Sequence, residues 1–222
     1  MFDRFKSLIQ KSGAADGGSM SVVDWAKSAG LTYADRGSGH FGIEGRHGQH
    51  PWVLELGPSS RDFIQGEQLR GRISVEADPS VTVVVMNRTL KDALDERVYA
   101  LYTDSVQTVV SPDMTDEMRW VTIFEEFGWD GLPSEFWLRY SVIADRRAHA
   151  PMLVNGNMAE VLMNWPEQEP GRATPFTLNF SRSRIYLRME HRPADLATVQ
   201  YAATVLLTAG EVAAAAFPPP QP

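Results

Sequence analysis

Hydrophobic side chains at the start of the chain recur at helical intervals, and a segment of small residues follows them. Residues 1–11 place four apolar side chains on one helical face: Phe2, Phe5, Leu8 and Ile9. This spacing predicts a short amphipathic helix. Residues 12–20 are rich in Gly, Ala and Ser, which predicts a flexible linker. We expect the packed body to begin at Ser21, which can cap a second helix because Asp24 stands three residues later.

After Leu31 the hydrophobic period changes from helical spacing to alternation. Apolar residues then alternate with polar or small ones in several short runs: Phe41 and Ile43, Trp52 to Leu56, and Leu69 to Val75. Alternation is the signature of strands with one buried face, whereas the continuous apolar run 81–86 is typical of a more buried strand. Gly and Pro in the connections favour an antiparallel meander.

The second half of the chain mixes helical and strand patterns. Helical spacing predicts one helix that starts near Asn87 and another that starts near Asp113. Alternation from Phe136 to Val142 predicts a strand, and residues 152–165 are expected to form one helix. Two further alternating runs around the turn at Arg182 predict a hairpin. An alanine-rich helix is expected over residues 194–216.

These elements predict an α+β fold: mainly antiparallel sheet, with helices packed on one side and a long C-terminal helix. Residues 21–216 are interpreted as a single α+β domain. Two sheet-plus-helix halves that meet near residues 105–115 are the alternative. Residues 217–222 are rich in proline, which predicts an extended tail.

Composition narrows the classes of function. The formal net charge is -7, and the 21 basic residues form no dense block, so we expect no nucleic-acid binding. No cysteine is present, which removes thiolate metal sites and cysteine nucleophiles. The sequence begins without the apolar run of a signal peptide, and no run reaches the length of a membrane span, so we expect a cytoplasmic protein without a transmembrane segment.

Candidate ligand-binding residues are polar groups on different predicted strands: His40, His50, Glu55, Arg70 and Arg72. Arg70 and Arg72 project from one strand face, and guanidinium groups suit carboxylate or phosphate ligands. A solvated sheet face with cross-strand ion pairs is the alternative. The histidines lie out of register with one another, so we expect no metal site. We find no catalytic motif, propose no catalytic residue and expect no cofactor.

Four apolar residues are candidates for contact with another protein. Trp129 and Trp137 are candidates if either is exposed. Tyr201 and Val205 lie on a second apolar side of the C-terminal helix, and such a helix needs a second partner. A homodimer would bury that side, while cover by the N-terminal helix or by segment 152–165 is the alternative.

Three hypotheses of function follow from these features. The first is a non-catalytic module that binds a protein partner or acts as an accessory protein. The second is an enzyme or ligand-binding domain whose polar groups come together from distant strands. A deep apolar cleft that contains two or more of the five candidates would favour this second hypothesis over the first. The third is weak attachment to a membrane surface through residues 1–11.

Overall fold

A computed structural model describes residues 20–104, 114–166, 170–191 and 196–220. Its seven helices are α1 (Val22–Ser28), α2 (Arg88–Asp104), α3 (Asp116–Ile123), α4 (Ser134–Arg139), α5 (His149–Leu153), α6 (Gly156–Met163) and α7 (Leu196–Ala216). Its nine strands are β1 (Thr32–Gly37), β2 (His40–His47), β3 (His50–Pro58), β4 (Glu67–Ser74), β5 (Thr82–Asn87), β6 (Glu125–Glu126), β7 (Tyr140–Ala144), β8 (Phe176–Ser181) and β9 (Arg184–Glu190). The predicted N-terminal helix and nearly all of the predicted linker lie outside the described residues.

The nine strands form one antiparallel sheet in the order β1-β2-β3-β4-β9-β8-β5-β7-β6. Strands β2 to β4 pair as the predicted meander requires, and β8 and β9 are the predicted hairpin. The meander was expected to continue into β5, but β9 and β8 lie between β4 and β5. Strand β1, which no alternating run indicated, pairs with β2. The two groups join where β4 pairs with β9, so strands from both halves of the chain share a single sheet. The predicted α+β class, the antiparallel sheet and the long C-terminal helix are confirmed.

The larger hydrophobic core lies between one sheet face and helices α5, α6 and α7. Helix α7 crosses β4 at Gly71, where a Cβ atom would lie 2.9 Å from Leu206 Cδ2. Gly71 therefore lets the helix approach the sheet more closely than another residue would allow. Helix α7 is long and apolar enough to cross a membrane, but 61% of its apolar window is buried within the protein. Contact with the sheet accounts for that apolar composition.

A second, smaller layer of helices covers the opposite sheet face at the β5 and β7 end. Val84, Met86 and Ile143 pack there against α2 and α3, while Val83 and Val85 face the larger core. The sequence prediction did not include this layer. The feature of the sequence that indicates this layer is the continuous apolar run through β5. A strand that is buried on both faces has apolar residues at every position, instead of polar residues at every second one.

Two predicted elements differ from the structure. The alternation from Phe136 to Val142 was expected to be one strand, but α4 occupies its first part and β7 begins only at Tyr140. Both Phe136 and Tyr140 are buried, and their spacing of four residues suits a helix as well as a strand. The helix expected over residues 152–165 is divided, because Asn155 accepts a hydrogen bond from the Met158 amide and so caps α6 separately from α5.

The packed body extends one residue further than the sequence predicted. Phe217 was assigned to the loose tail, but its side chain is buried and stacks on Phe180, with ring centroids 5.3 Å apart. The Phe217 carbonyl also accepts a hydrogen bond from the Asp78 amide. The exposed residues 218–220 follow. The contacts of Phe217 therefore hold the end of α7 against the sheet.

Candidate functional site

The sheet face opposite α7 is open over strands β3, β4 and β9, and its side chains form a shallow depression with a volume of about 490 Å³. We call this depression the arginine trough. Its central side chains are Val53, Glu55, Arg70, Arg72, Tyr186 and Arg188. Each of the three strands contributes two of these side chains, and the two are separated by one residue. All six side chains therefore lie on the same face of the sheet.

The first of two cross-strand rows contains two arginines and a carboxylate. Glu55 is opposite Arg70, and Arg70 is opposite Arg188. Arg70 Nε donates to Glu55 Oε2 at 2.9 Å, and Arg36 pairs with the other oxygen of the same carboxylate. Two guanidinium groups therefore share the single charge of Glu55, and this part of the trough is positive.

The second row carries an arginine between two uncharged side chains. Val53 is opposite Arg72, and Arg72 is opposite Tyr186. The Arg72 side chain is exposed, and within the described part of the chain it makes no hydrogen bond or ion pair. The guanidinium of Arg72 is therefore free to bind an anion, with an aromatic ring beside it.

A buried carboxylate outside the trough lies next to Arg188. Glu117 on α3 is 1% exposed, and its Oε2 accepts a hydrogen bond of 2.8 Å from Arg61 Nε. Arg188 Nε lies 3.8 Å from Glu117 Oε1, and another nitrogen of Arg188 donates to Ser60 Oγ at 3.2 Å. Glu117 thus connects α3 to β9 and to the loop after β3.

The environment of Arg188 is less favourable to positive charge than that of an exposed arginine. Burial lowers its pKa, and the nearby guanidinium of Arg61 and that of Arg70 add to this effect, while Glu117 opposes it. Arg188 nevertheless remains charged, since arginine ionises far above neutral pH. The trough therefore holds concentrated positive charge in a chain whose net charge is -7.

The structure brings together three of the five candidate ligand residues. Glu55, Arg70 and Arg72 line the trough, whereas His40 and His50 do not. His40 Nε2 lies 3.1 Å from Glu67 Oε1, and His50 is opposite His47 at the turn between β2 and β3. Across the described ranges, no group of three or more His, Asp or Glu side chains is placed to hold a metal ion.

Sequence reasoning did not assign three residues of the site: Tyr186, Arg188 and Glu117. Tyr186 and Arg188 alternate on one strand, and this pattern is visible in the sequence. The sequence does not reveal that β4 pairs with β9, and this pairing places Arg188 beside Arg70. The sequence contains no pattern that identifies Glu117 as a site residue, because the residues around it do not show that it is buried.

The predicted protein-contact residues lie elsewhere. Trp129 and Trp137 are half-buried against the larger core and pack edge to face, with ring centroids 4.8 Å apart. The Tyr201 hydroxyl donates to the Val161 carbonyl at 2.9 Å.

Val205 is completely buried, so its assignment as a contact residue is corrected. Helices α5 and α6 pack on α7 within the same chain. Val205 itself therefore has no exposed surface for contact with a second copy, and cover within the chain accounts for its burial. Self-association through another surface stays a prediction.

Comparison with known proteins gives one informative result. No family model matches the chain, and no curated protein matches its sequence. A solved structure with a similar fold is the crystal structure of the mycobacterial trehalose monomycolate transport factor A, TtfA. The two chains are 11% identical, with a TM-score of 0.50, and the match covers 89% of this chain and 94% of that chain. At this level of identity, the likeness concerns the fold alone.

Proposed function

We propose that this chain is a non-catalytic accessory module that binds a protein partner on the arginine trough. The observation that carries this proposal is the free guanidinium of Arg72 at the centre of an open sheet face. The other two arginines of the trough, Arg70 and Arg188, and the carboxylate of Glu55 each have an ionic partner. An exposed and unpartnered arginine beside a tyrosine is the type of residue that is enriched in protein interfaces.

The chemistry of the trough favours recognition over catalysis. Guanidinium groups donate hydrogen bonds but do not exchange protons near neutral pH. Each oxygen of the Glu55 carboxylate is paired with an arginine, so neither oxygen is free to contact a reacting group. An accessory role also agrees with the name of the structural neighbour, which is called a transport factor.

Site-specific photo-crosslinking in the source cells tests the proposal. A photoreactive amino acid replaces Val53, which is half-buried at the centre of the trough. The control position is Lys27, which is exposed on α1 and does not line the trough. We expect a discrete crosslinked protein at position 53 only, lost in an Arg72→Glu background, and binding of that purified protein to the wild-type chain. Equal crosslinking at both positions, or none at position 53, would contradict the proposal.

A small anionic molecule is the second candidate occupant. The convergence of Glu55, Arg70 and Arg72 in one depression of about 490 Å³ supports it, since small-molecule sites have volumes of about 300–1,000 Å³. Such sites, however, enclose most of the ligand surface, whereas Arg70 and Arg72 are exposed. The protein partner is therefore preferred.

A further inference from the structure

The spacing of the arginines in the trough limits the chemistry of its partner. Arg70 and Arg72 are two residues apart on β4, so their Cα atoms lie about 6.6 Å apart along the strand. An extended peptide has the same rise per residue, and its alternate side chains also share one side. Carboxylates at alternate positions of an extended segment would therefore match the two rows of the trough.

The first row can bind a carboxylate because its arginines repel one another. Arg70 and Arg188 are directly opposite across β4 and β9, and like charges in that position destabilise a sheet. Glu55 binds only the Nε of Arg70, and a guanidinium has five N–H donors. Donors of both arginines thus remain for a carboxylate placed between them, which would relieve the repulsion.

The second row can bind a carboxylate through Arg72 alone. Its direct cross-strand neighbours, Val53 and Tyr186, carry no charge. The acid of this row, Glu44, lies one strand further away, opposite Val53. The planar fork of Arg72 can bind both oxygens of a carboxylate. The side chain of the residue between the two acids points away from the trough, because successive side chains of an extended segment lie on opposite sides.

Acids at the edge of the trough argue against polyphosphate or nucleic acid. Glu55 belongs to the first row, and Glu44 extends the second row beyond Val53. Nucleic acid carries one phosphate per about 3.4 Å of strand, so phosphates would come to lie on these carboxylates as well as on the arginines. A segment with only two negative charges avoids this repulsion.

Resting on the proposed function, we infer that the partner presents an extended acidic segment with two Asp or Glu residues separated by one residue. One carboxylate lies between Arg70 and Arg188, and the other is bound by Arg72.

Fluorescence anisotropy with two labelled peptides tests the inference. Both peptides are alanine-based and carry two glutamates, which are separated by one alanine in the first and adjacent in the second. We expect the first peptide to bind severalfold more tightly and to weaken as salt is added, since exposed charges are screened. Arg72→Gln should weaken the first peptide about tenfold by removing a charge-assisted hydrogen-bond pair. Arg72→Lys should restore the binding only in part, because lysine lacks the fork.

Lys27→Gln is the matched control, since it makes the same change in net charge away from the trough and should leave binding unchanged. Equal affinity for the two peptides, or no binding of the first at low salt, would overturn the inference. Displacement of the first peptide by inorganic phosphate at the same concentration as the peptide would also overturn the inference. The trough would in that case be a site for small anions. These outcomes are distinct from failure of the proposed function, which is judged by crosslinking at position 53 and does not depend on the spacing of acids.

Discussion

Replacing Glu117 with alanine should lower the free energy of unfolding by about 3 kcal/mol. Glu117 is 1% exposed and lies between two guanidinium groups, those of Arg61 and Arg188. Its removal leaves both arginines without their buried partner. The side chain of Arg61 is 16% exposed and that of Arg188 is 23% exposed, so water can solvate them only in part.

The magnitude follows from the two contacts. The hydrogen bond from Arg61 Nε is 2.8 Å long, and a bond of this charge-assisted type contributes about 1.5–3 kcal/mol. The contact with Arg188 is 3.8 Å and adds less. Breaking a buried ion pair costs about 3–5 kcal/mol. The lower end applies here because both arginines keep some contact with solvent.

Urea unfolding followed by circular dichroism measures the effect. In a thermal scan, about 3 kcal/mol corresponds to a decrease in Tm of about 6–12 °C for a chain of this size. Asp116→Ala is the matched control, because Asp116 is 60% exposed and lies 3.7 Å from the same arginine. That control should cost less than about 1 kcal/mol. Equal losses for the two variants would refute the idea that burial makes Glu117 important.

Three further predictions concern the body of the fold. Phe217→Ala should cost about 3 kcal/mol in urea unfolding, because it removes a buried aromatic ring; a loss below about 1 kcal/mol would show that the end of α7 is not fastened. Burial opposes ionisation of Glu126, but Arg88 and Lys91 hold its pKa below the ordinary value. Stability should therefore fall as the pH drops from about 4.3 through the lower folded value, and Glu126→Gln should flatten this part of the stability curve; an unchanged curve would contradict it. Burial raises the pKa of Tyr201 to about 12, so stability should fall as the pH rises above about 10. Tyr201→Phe should remove part of that alkaline loss, and an identical loss in unfolding measured at several pH values would count against it.

Sequence periodicity predicted the strands well where one face of the sheet is buried and the other is open. Strands β3 and β4 alternate cleanly, since residues such as Leu54 and Leu69 face the core and residues such as Glu55 and Arg70 face solvent. The same signal was ambiguous at Phe136 and Tyr140, because a spacing of four suits both a helix and a strand. Short segments of this kind are decided by tertiary packing rather than by local pattern.

The candidate site could be predicted only in part, for a different reason. The alternation of Arg70 and Arg72 on one strand is local information, and the sequence contains it. The position of Arg188 beside Arg70 depends on which strands pair, and that is decided by the whole fold. Val205 is a second example. The sequence placed it on an apolar side of α7, but it could not show that Val205 is buried within the chain.

The pairing of β4 with β9 has a consequence for when the trough comes into existence during synthesis. Arg70 and Arg72 leave the ribosome long before Tyr186 and Arg188, because the two strands belong to opposite halves of the chain. Contacts between distant segments form late in folding, so a nascent or truncated chain that ends before β9 carries two of the arginines but has no trough. A partner that binds the complete trough also stabilises this junction, because it favours the state in which both strands are paired. A partner that binds as proposed would therefore distinguish complete molecules from incomplete ones.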